Sequence, residues 1–135
     1  MPDRTQDRFG MTLSTSSTAA ADAWQDGIDR LLSQNHGPDL KFQEAIDLDE
    51  GFAMAHGCLA YWYQQRARPE EARETIKQAL ALASVVSRRE RQQIEAVSFW
   101  INGQGRDSIA LIKMHLAEFP RDGLLLRLAH RLYML

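Results

Sequence analysis

Four histidines and one cysteine are the residues of this chain best suited to metal binding or nucleophilic catalysis. The histidines His36, His56, His115 and His130 show no i, i+4 pairing and no accompanying carboxylate motif, so the spacing of a helical zinc site is missing. Cys58 lies in a predicted helix, where burial is the favoured interpretation, and a single cysteine cannot form a disulfide framework. We therefore predict no metal, no cofactor and no catalytic residue, and we expect His130 to be a hydrogen-bonded histidine between helices.

Two glycine-containing segments weakly resemble ligand-binding loops. Asp47-x-Asp49-x-Gly51 has the beginning of a calcium loop, but no series of oxygen ligands and no closing glutamate follow the glycine. Gly103-x-Gly105 is predicted to lie between two helices, whereas glycine-rich phosphate loops follow a strand. We interpret both segments as helix ends.

The residues that could bind a metal or act in catalysis must be positioned by helices, because helical periodicity and helix-boundary residues recur along the chain. Ser87 and Glu90 have the spacing of a capping box at the start of a helix, and Pro69 is typical of a first helical position. No segment alternates with period two for long enough to predict a strand. The predicted fold is all-α with about seven helices, at about 20–33, 39–48, 52–66, from 69 onward, from 87 to 102, 107–119 and 124–135.

The predicted helices recur in pairs at a near-constant spacing. Segment 56–63 reads His-x2-Leu-Ala-x2-Tyr and segment 72–76 reads Ala-x3-Ile, while Phe99 follows Tyr63 by 36 residues and Tyr133 follows Phe99 by 34. These positions resemble the tetratricopeptide repeat, a unit of 34 residues that contains two helices. The resemblance implies a right-handed superhelical array of antiparallel helix pairs, an α-solenoid.

The repeat spacing also predicts the domain organisation. We expect a flexible lead-in over residues 1–18, rich in serine and threonine towards its end, and one helical repeat domain over residues 19–135. The repeats are predicted at about 20–50, 53–84 and 88–120, with a partial repeat at 123–135.

A narrower resemblance rests on several local segments, which extend over essentially the whole chain. They read Gly-Met-Thr-Leu-Ser-Thr-Ser-Ser at 10–17, Glu-Ala-Ile-Asp-Leu-Asp at 44–49, Phe-Ala-Met-Ala-His at 52–56, Arg-Glu-Arg at 89–91 and Phe-Pro-Arg-Asp at 119–122. They are similar to the N-terminal third of the tetratricopeptide repeat protein 38 family, which implies a helical-repeat protein without an assigned reaction. An alternative is that the chain is a fragment of such a protein, whose ligand-binding or enzymatic residues lie beyond Leu135.

Composition and charge favour a protein partner over nucleic acid or a membrane. The 16 basic and 18 acidic residues give a net charge of −2, and the densest basic group, Arg88, Arg89 and Arg91, is interrupted by Glu90. No stretch approaches the ~20 apolar residues of a membrane span, and the N-terminal residues lack a signal-peptide core. We therefore expect a cytoplasmic, non-enzymatic interaction module or scaffold that binds a protein or peptide.

Two surfaces are candidates for contact with a partner. Solenoids of this kind bind along a concave surface lined by the first helix of each pair. By analogy, the predicted groove residues are Met54, Gly57, Tyr61, Gln64, Gln65, Gln93, Val97, Trp100 and Ile101. The last predicted helix is apolar around much of its circumference, so we also expect an exposed apolar surface, and a possible homodimer through it, at Leu125, Leu128, Leu132, Tyr133 and Leu135.

Overall fold

Seven α-helices account for most of the chain, which the computed structural model describes from residue 5 to residue 133. They are α1 Thr18–Leu32, α2 Pro38–Leu48, α3 Ala53–Gln65, α4 Pro69–Leu82, α5 Arg88–Ile101, α6 Gly105–Glu118 and α7 Gly123–Tyr133. A 3-10 turn at Ala83–Val85 follows α4. The prediction of an all-α fold with about seven helices is confirmed for the described residues.

Residues at the helix boundaries explain where several helices begin and end. The Ser17 hydroxyl accepts a hydrogen bond from the backbone N–H of Ala20, and Ser87 serves the same purpose at the start of α5. Pro38 and Pro69 occupy first helical turns, where the missing N–H of proline has no cost. The chain leaves α3 through Ala67, whose φ of +56° lies in the left-handed region usually taken by glycine at this position.

Consecutive helices pack as pairs, α1 with α2, α3 with α4 and α5 with α6. In the first pair Gly27 allows the closest approach, since a Cβ atom at this position would lie 2.6 Å from Cε1 of Phe42. In the third pair the Ser108 hydroxyl donates a hydrogen bond of 2.8 Å to the carbonyl of Ala96. Small residues at these contacts let the helix backbones approach closely.

The odd-numbered helices contact one another in a cycle, because α1 packs on α3, α3 on α5, α5 on α7, and α7 on α1. The last contact includes a 2.6 Å hydrogen bond from Nη2 of Arg127 to the carbonyl of Leu32. Glycine at position 123 allows this close approach of α7 to α1, since a Cβ atom there would lie 2.8 Å from Cδ1 of Leu32. The space between the four helices is therefore core, and it holds fully buried side chains such as Tyr61 and Leu128.

Two short strands, Thr5–Gln6 and Thr12–Leu13, form an antiparallel hairpin ahead of α1. The carboxylate of Asp7 accepts hydrogen bonds from the backbone N–H groups of Phe9 and Met11 within the turn, and Gly10 has a φ of +77°. The prediction that the chain contains no strand is wrong. Each strand has only two residues, so period-two alternation cannot show in the sequence.

The lead-in is attached to the helices over its described part. Leu13 and Thr15 are buried, and the Thr15 hydroxyl donates a 2.5 Å hydrogen bond to the carboxylate of Asp49. Long-range side-chain contacts therefore connect this part of the lead-in to the helices, whereas the flexibility expected of residues 1–18 stays a prediction. Residues 1–4 lie outside the described part of the chain. Among the described helices, none combines the length and the apolar character needed to cross a bilayer.

Candidate ligand-binding groove

A groove of about 660 Å³ opens between the N-terminal hairpin (residues 5–13), α1 and the turn that joins α6 to α7. We call it the apolar groove. Its volume lies within the range of small-molecule and peptide side-chain pockets. Its apolar lining consists of Phe9, Met11, Trp24, Ile28, Leu32, Phe119, Pro120 and Leu124.

A buried polar network lies behind the groove. Nε2 of His115 lies 2.7 Å from Oδ2 of Asp122, and Nδ1 of the same ring lies 2.7 Å from Oε1 of Gln92. Asp122 also accepts a 2.8 Å hydrogen bond from the Gln93 amide and a 3.2 Å bond from the N–H of Leu125 at the start of α7. The carboxylate is thus buried together with an imidazole, an amide and a helix N-terminus that compensate its charge.

One member of this network retains unused hydrogen-bonding capacity. The side chain of Gln93 is 4% exposed and lines the apolar groove, and its Oε1 atom has no hydrogen-bond partner among residues 5–133. A buried acceptor without a partner carries a desolvation cost of about 1–3 kcal/mol. A ligand N–H or O–H group that reached this atom from the groove would remove this cost.

The N-terminal hairpin forms one wall of the groove, and the start of α5 holds it in place. The buried carboxylate of Glu90 accepts hydrogen bonds from the backbone N–H of Ser14 at 3.1 Å and from its hydroxyl at 2.5 Å. Beside it, Arg89 donates a 3.1 Å hydrogen bond to the carbonyl of Thr12 and lies 3.6 Å from the carboxylate of Asp7. The predicted capping box is only half formed. The Ser87 hydroxyl accepts a hydrogen bond from the backbone N–H of Glu90, whereas the Glu90 carboxylate accepts hydrogen bonds from Ser14, next to the hairpin, and from the Ser87 hydroxyl.

The rim of the groove carries charges of both signs, and most of them are paired with each other. Arg8 forms an ion pair with Asp29 across one side of the groove. On the other side, Arg121 lies over the ring of Phe9, 5.9 Å from its centroid, and no carboxylate among residues 5–133 forms an ion pair with it. Phe9 itself is 56% exposed, so an aromatic ring is available to a ligand at the entrance.

The groove predicted from the sequence lies elsewhere and is largely core. Six of the nine predicted residues are buried, namely Met54, Gly57, Tyr61, Gln93, Val97 and Ile101. For five of the six, all except Gln93, the expectation of a partner-facing surface is wrong, because the contact of α7 with α1 covers the inner side of α3 and α5. Gln93 alone among them reaches the wall of the apolar groove.

The three other predicted groove residues are half-buried. Gln65 accepts a 3.1 Å hydrogen bond from Arg131, whose guanidinium lies 6.0 Å from the Trp100 ring centroid. Gln64 is also half-buried, and its Oε1 atom has no hydrogen-bond partner among residues 5–133. Their contact with a partner stays a prediction.

The last helix is less exposed than its sequence predicts. Leu125 and Leu128 are fully buried, so the expectation that they belong to an exposed apolar surface is wrong. They face the core because α7 packs against α1, α5 and α6. Leu132 is half-buried, Tyr133 is 60% exposed, and Leu135 lies outside the described residues.

The remaining chemically reactive candidates occupy structural positions. Burial, the largest cause, raises the pKa of the Cys58 thiol to about 12, while contact with Trp24 opposes the rise and the charge of Asp122 adds to it. This thiol stays protonated at neutral pH and is a poor nucleophile. Within residues 5–133, no three histidine, cysteine, aspartate or glutamate side chains cluster in a way that could hold a metal ion.

The burial of two histidines, His115 and His130, differs from the sequence prediction. His130 is exposed, so the prediction of a hydrogen-bonded interface histidine is wrong for it. His115 of α6 takes that place instead, and its buried ring contacts Gln92 of α5 and Asp122 just before α7. Asp122 directly before Gly123 is the sequence signal that could have located this site, since aspartate is a preferred cap at a helix N-terminus.

Comparison of the chain with protein-family models, with curated proteins and with solved structures gives no match. The family resemblance stays a prediction.

Proposed function

We propose that this chain is a non-catalytic binding module that holds an extended segment of a protein partner in the apolar groove. The segment inserts one large apolar side chain against Trp24, Ile28 and Leu32. A backbone N–H of the same segment donates to Oε1 of Gln93.

The unpartnered Oε1 of Gln93 is the observation that carries this proposal. It is buried in a wall that is otherwise largely apolar, so a ligand that fills the groove must provide both apolar surface and a hydrogen-bond donor. A polypeptide provides both within a single residue, because each side chain is adjacent to a backbone N–H. This pairing favours a peptide over a purely apolar ligand.

The rim charges support a peptide of low net charge. Arg8 with Asp29, and Arg88 with Glu118, already form ion pairs beside the groove, so neither pair offers an uncompensated charge. The exposed ring of Phe9 can cover the inserted side chain from the solvent side, as aromatic residues at interface hot spots do. Affinity then comes mainly from burial of apolar area.

We infer further that the helix pairs are tetratricopeptide-like and that the chain serves as an interaction module or scaffold. The observed pairing of α1 with α2, α3 with α4 and α5 with α6, together with the 34- to 36-residue spacing, supports this assignment. The binding surface differs from the concave groove common in such arrays, since the inner layer is packed. The groove at the hairpin takes its place.

Selection from a random peptide library displayed on phage tests the proposal. The immobilised chain should enrich peptides that share a large apolar residue, and a synthetic copy of the strongest binder should bind with a measurable Kd by fluorescence anisotropy. Phe9→Ala should weaken that Kd by about tenfold, the effect of losing about 1.4 kcal/mol of apolar contact.

The matched control is Leu40→Ala, which removes an exposed apolar side chain of α2 away from the groove. It should leave the Kd unchanged. If the library yields no shared sequence, or if both variants bind the selected peptide equally well, the groove is not the peptide site.

A further inference from the structure

Four arginines converge on a second pocket, on another side of α1 from the apolar groove. The pocket has a volume of about 270 Å³ and is lined by Arg30, Arg66, Arg127 and Arg131, and no carboxylate lines it. We call it the arginine pocket. These residues come from α1, the end of α3 and α7, so only the folded chain brings them together.

Three of the four guanidinium groups are not neutralised. Arg30 forms an ion pair with Asp26, with 2.9 Å between Nε and Oδ1. For Arg66, Arg127 and Arg131, no carboxylate within residues 5–133 lies within 4.0 Å. Like charges brought together repel one another, so a pocket of this kind is stabilised when an anion enters it.

Neutral contacts hold the guanidinium groups in place and leave donors free. Nη2 of Arg127 donates to the carbonyl of Leu32 at 2.6 Å, and Nη2 of Arg131 donates to Oε1 of Gln65 at 3.1 Å. A guanidinium has five N–H donors, so each keeps several for a ligand. The buried Nε of Arg131 also has no acceptor among the described residues.

Aromatic side chains complete the surroundings. The guanidinium of Arg66 lies over the Trp62 ring, 5.4 Å from its centroid, and Trp62 lines the pocket. Burial, the largest cause, raises the pKa of the Tyr61 phenol and the charges of Arg131 and Arg127 oppose the rise, but Tyr61 is fully buried and does not line the pocket. An aromatic ring beside several guanidiniums suits a ligand that carries an anionic group on an organic body.

We propose that the arginine pocket binds a phosphate monoester. A doubly charged oxyanion matches three uncompensated guanidiniums better than a single carboxylate does, and its three terminal oxygens accept the divergent N–H groups. The small volume admits the phosphate and a compact substituent beside Trp62, which lines the pocket. This site is independent of the apolar groove and of the peptide proposed there.

Titration calorimetry with phenyl phosphate tests the site. The chain should show saturable binding with one site per chain, and added sodium chloride should weaken it because salt screens the charges. Arg66→Gln should weaken binding about tenfold or more, since it removes an exposed guanidinium with no ion-pair partner among the described residues. Its matched control, Arg73→Gln, makes the same charge change on the exposed face of α4 and should bind as the parent chain does.

The outcomes separate the possibilities clearly. Equal weakening by Arg66→Gln and Arg73→Gln would show that loss of a positive charge anywhere on the chain weakens binding, and it would overturn the site. Benzoate binding as tightly as phenyl phosphate would overturn the preference for a doubly charged oxyanion. Phe9→Ala should leave phenyl phosphate binding intact, so failure of the peptide proposal does not affect this one.

Discussion

Replacement of Ser14 by alanine tests whether Glu90 fastens the N-terminal hairpin to the helices. The Ser14 hydroxyl donates a 2.5 Å hydrogen bond to a fully buried carboxylate. Deletion of a hydrogen bond to a charged group costs about 1.5–3 kcal/mol, and Ser14 is half-buried, so we expect a loss of about 2 kcal/mol. Urea unfolding followed by circular dichroism measures this loss.

Ser16→Ala is the matched control, because Ser16 is exposed and lies two residues away. It should change the free energy of unfolding by no more than about 0.5 kcal/mol. Glu90→Ala removes the hydrogen bonds from Ser14 and Ser87 together and should cost about 3–5 kcal/mol. In a chain that already carries Glu90→Ala, the Ser14 substitution should cost no more than its control, since its partner is gone.

Amide hydrogen exchange supplies a local readout of the same contact. The N–H of Asp7 donates to the carbonyl of Met11 at 2.8 Å within the hairpin, and its exchange should become faster in Ser14→Ala. Equal stabilities of the Ser14 and Ser16 variants, with unchanged exchange at Asp7, would refute the role assigned to Glu90.

Three further predictions concern stability. Ala67→Gly should raise the free energy of unfolding by about 0.5–1 kcal/mol in urea titrations, because the left-handed φ of +56° strains alanine but not glycine. Gly27→Ala should lower it by about 1–3 kcal/mol despite the better helix propensity of alanine, because the new Cβ would lie 2.6 Å from the Phe42 ring. Hydrogen bonding from Arg88 holds the pKa of Glu118 below its ordinary value of 4.5. This pair therefore stabilises the fold at neutral pH, and its contribution is lost as the pH falls through the folded-state pKa of Glu118. The difference in urea midpoint between the parent chain and Arg88→Gln should accordingly shrink from pH 7 to about pH 3.

Controls for these variants lie on the exposed surface. Gly51→Ala adds a methyl group where the nearest atom is 3.6 Å away and should show no clash. Lys77→Gln removes an exposed cation of α4 that forms no ion pair with a described residue, so it should not change how stability depends on acid. A stabilised Gly27→Ala, or an unstable Ala67→Gly, would contradict the corresponding geometry.

Helix boundaries could be predicted from the sequence because local residues determine them. Ser17, Pro38 and Pro69 act within one turn of their own positions, through a cap or a fixed φ angle. The predicted start of α5 at Ser87 agrees with the structure for the same reason. The cap pattern at this position does not predict the hydrogen bond between Ser14 and Glu90, because the two residues are 76 positions apart in the chain.

The candidate sites were harder to predict because they depend on contacts between distant segments. The repeat pattern predicts a concave groove because the inner face of such repeats is open, whereas Arg127 donates to the carbonyl of Leu32 and α7 covers that face. The three arginines of the densest basic run in the sequence already form ion pairs. Arg88 pairs with Glu118, Arg89 with Asp7 of the hairpin, and Arg91 with Glu95. The arginine pocket instead combines residues from α1, the end of α3 and α7, so no local run of positive charge in the sequence predicts it.

The contact between α7 and α1 also has a consequence for the order in which the chain folds. Arg127 and Leu32 are 95 residues apart, whereas Ser108 and Ala96 within one helix pair are 12 apart. Closing the longer loop costs about 2 kcal/mol more in chain entropy than closing the shorter one. We therefore expect the helix pairs to form first and α7 to dock last, which implies a transient state in which Tyr61 and Leu128, buried in the folded chain, still face water. Such a state is prone to aggregation, and the rate of this final docking step sets how long the chain stays in it.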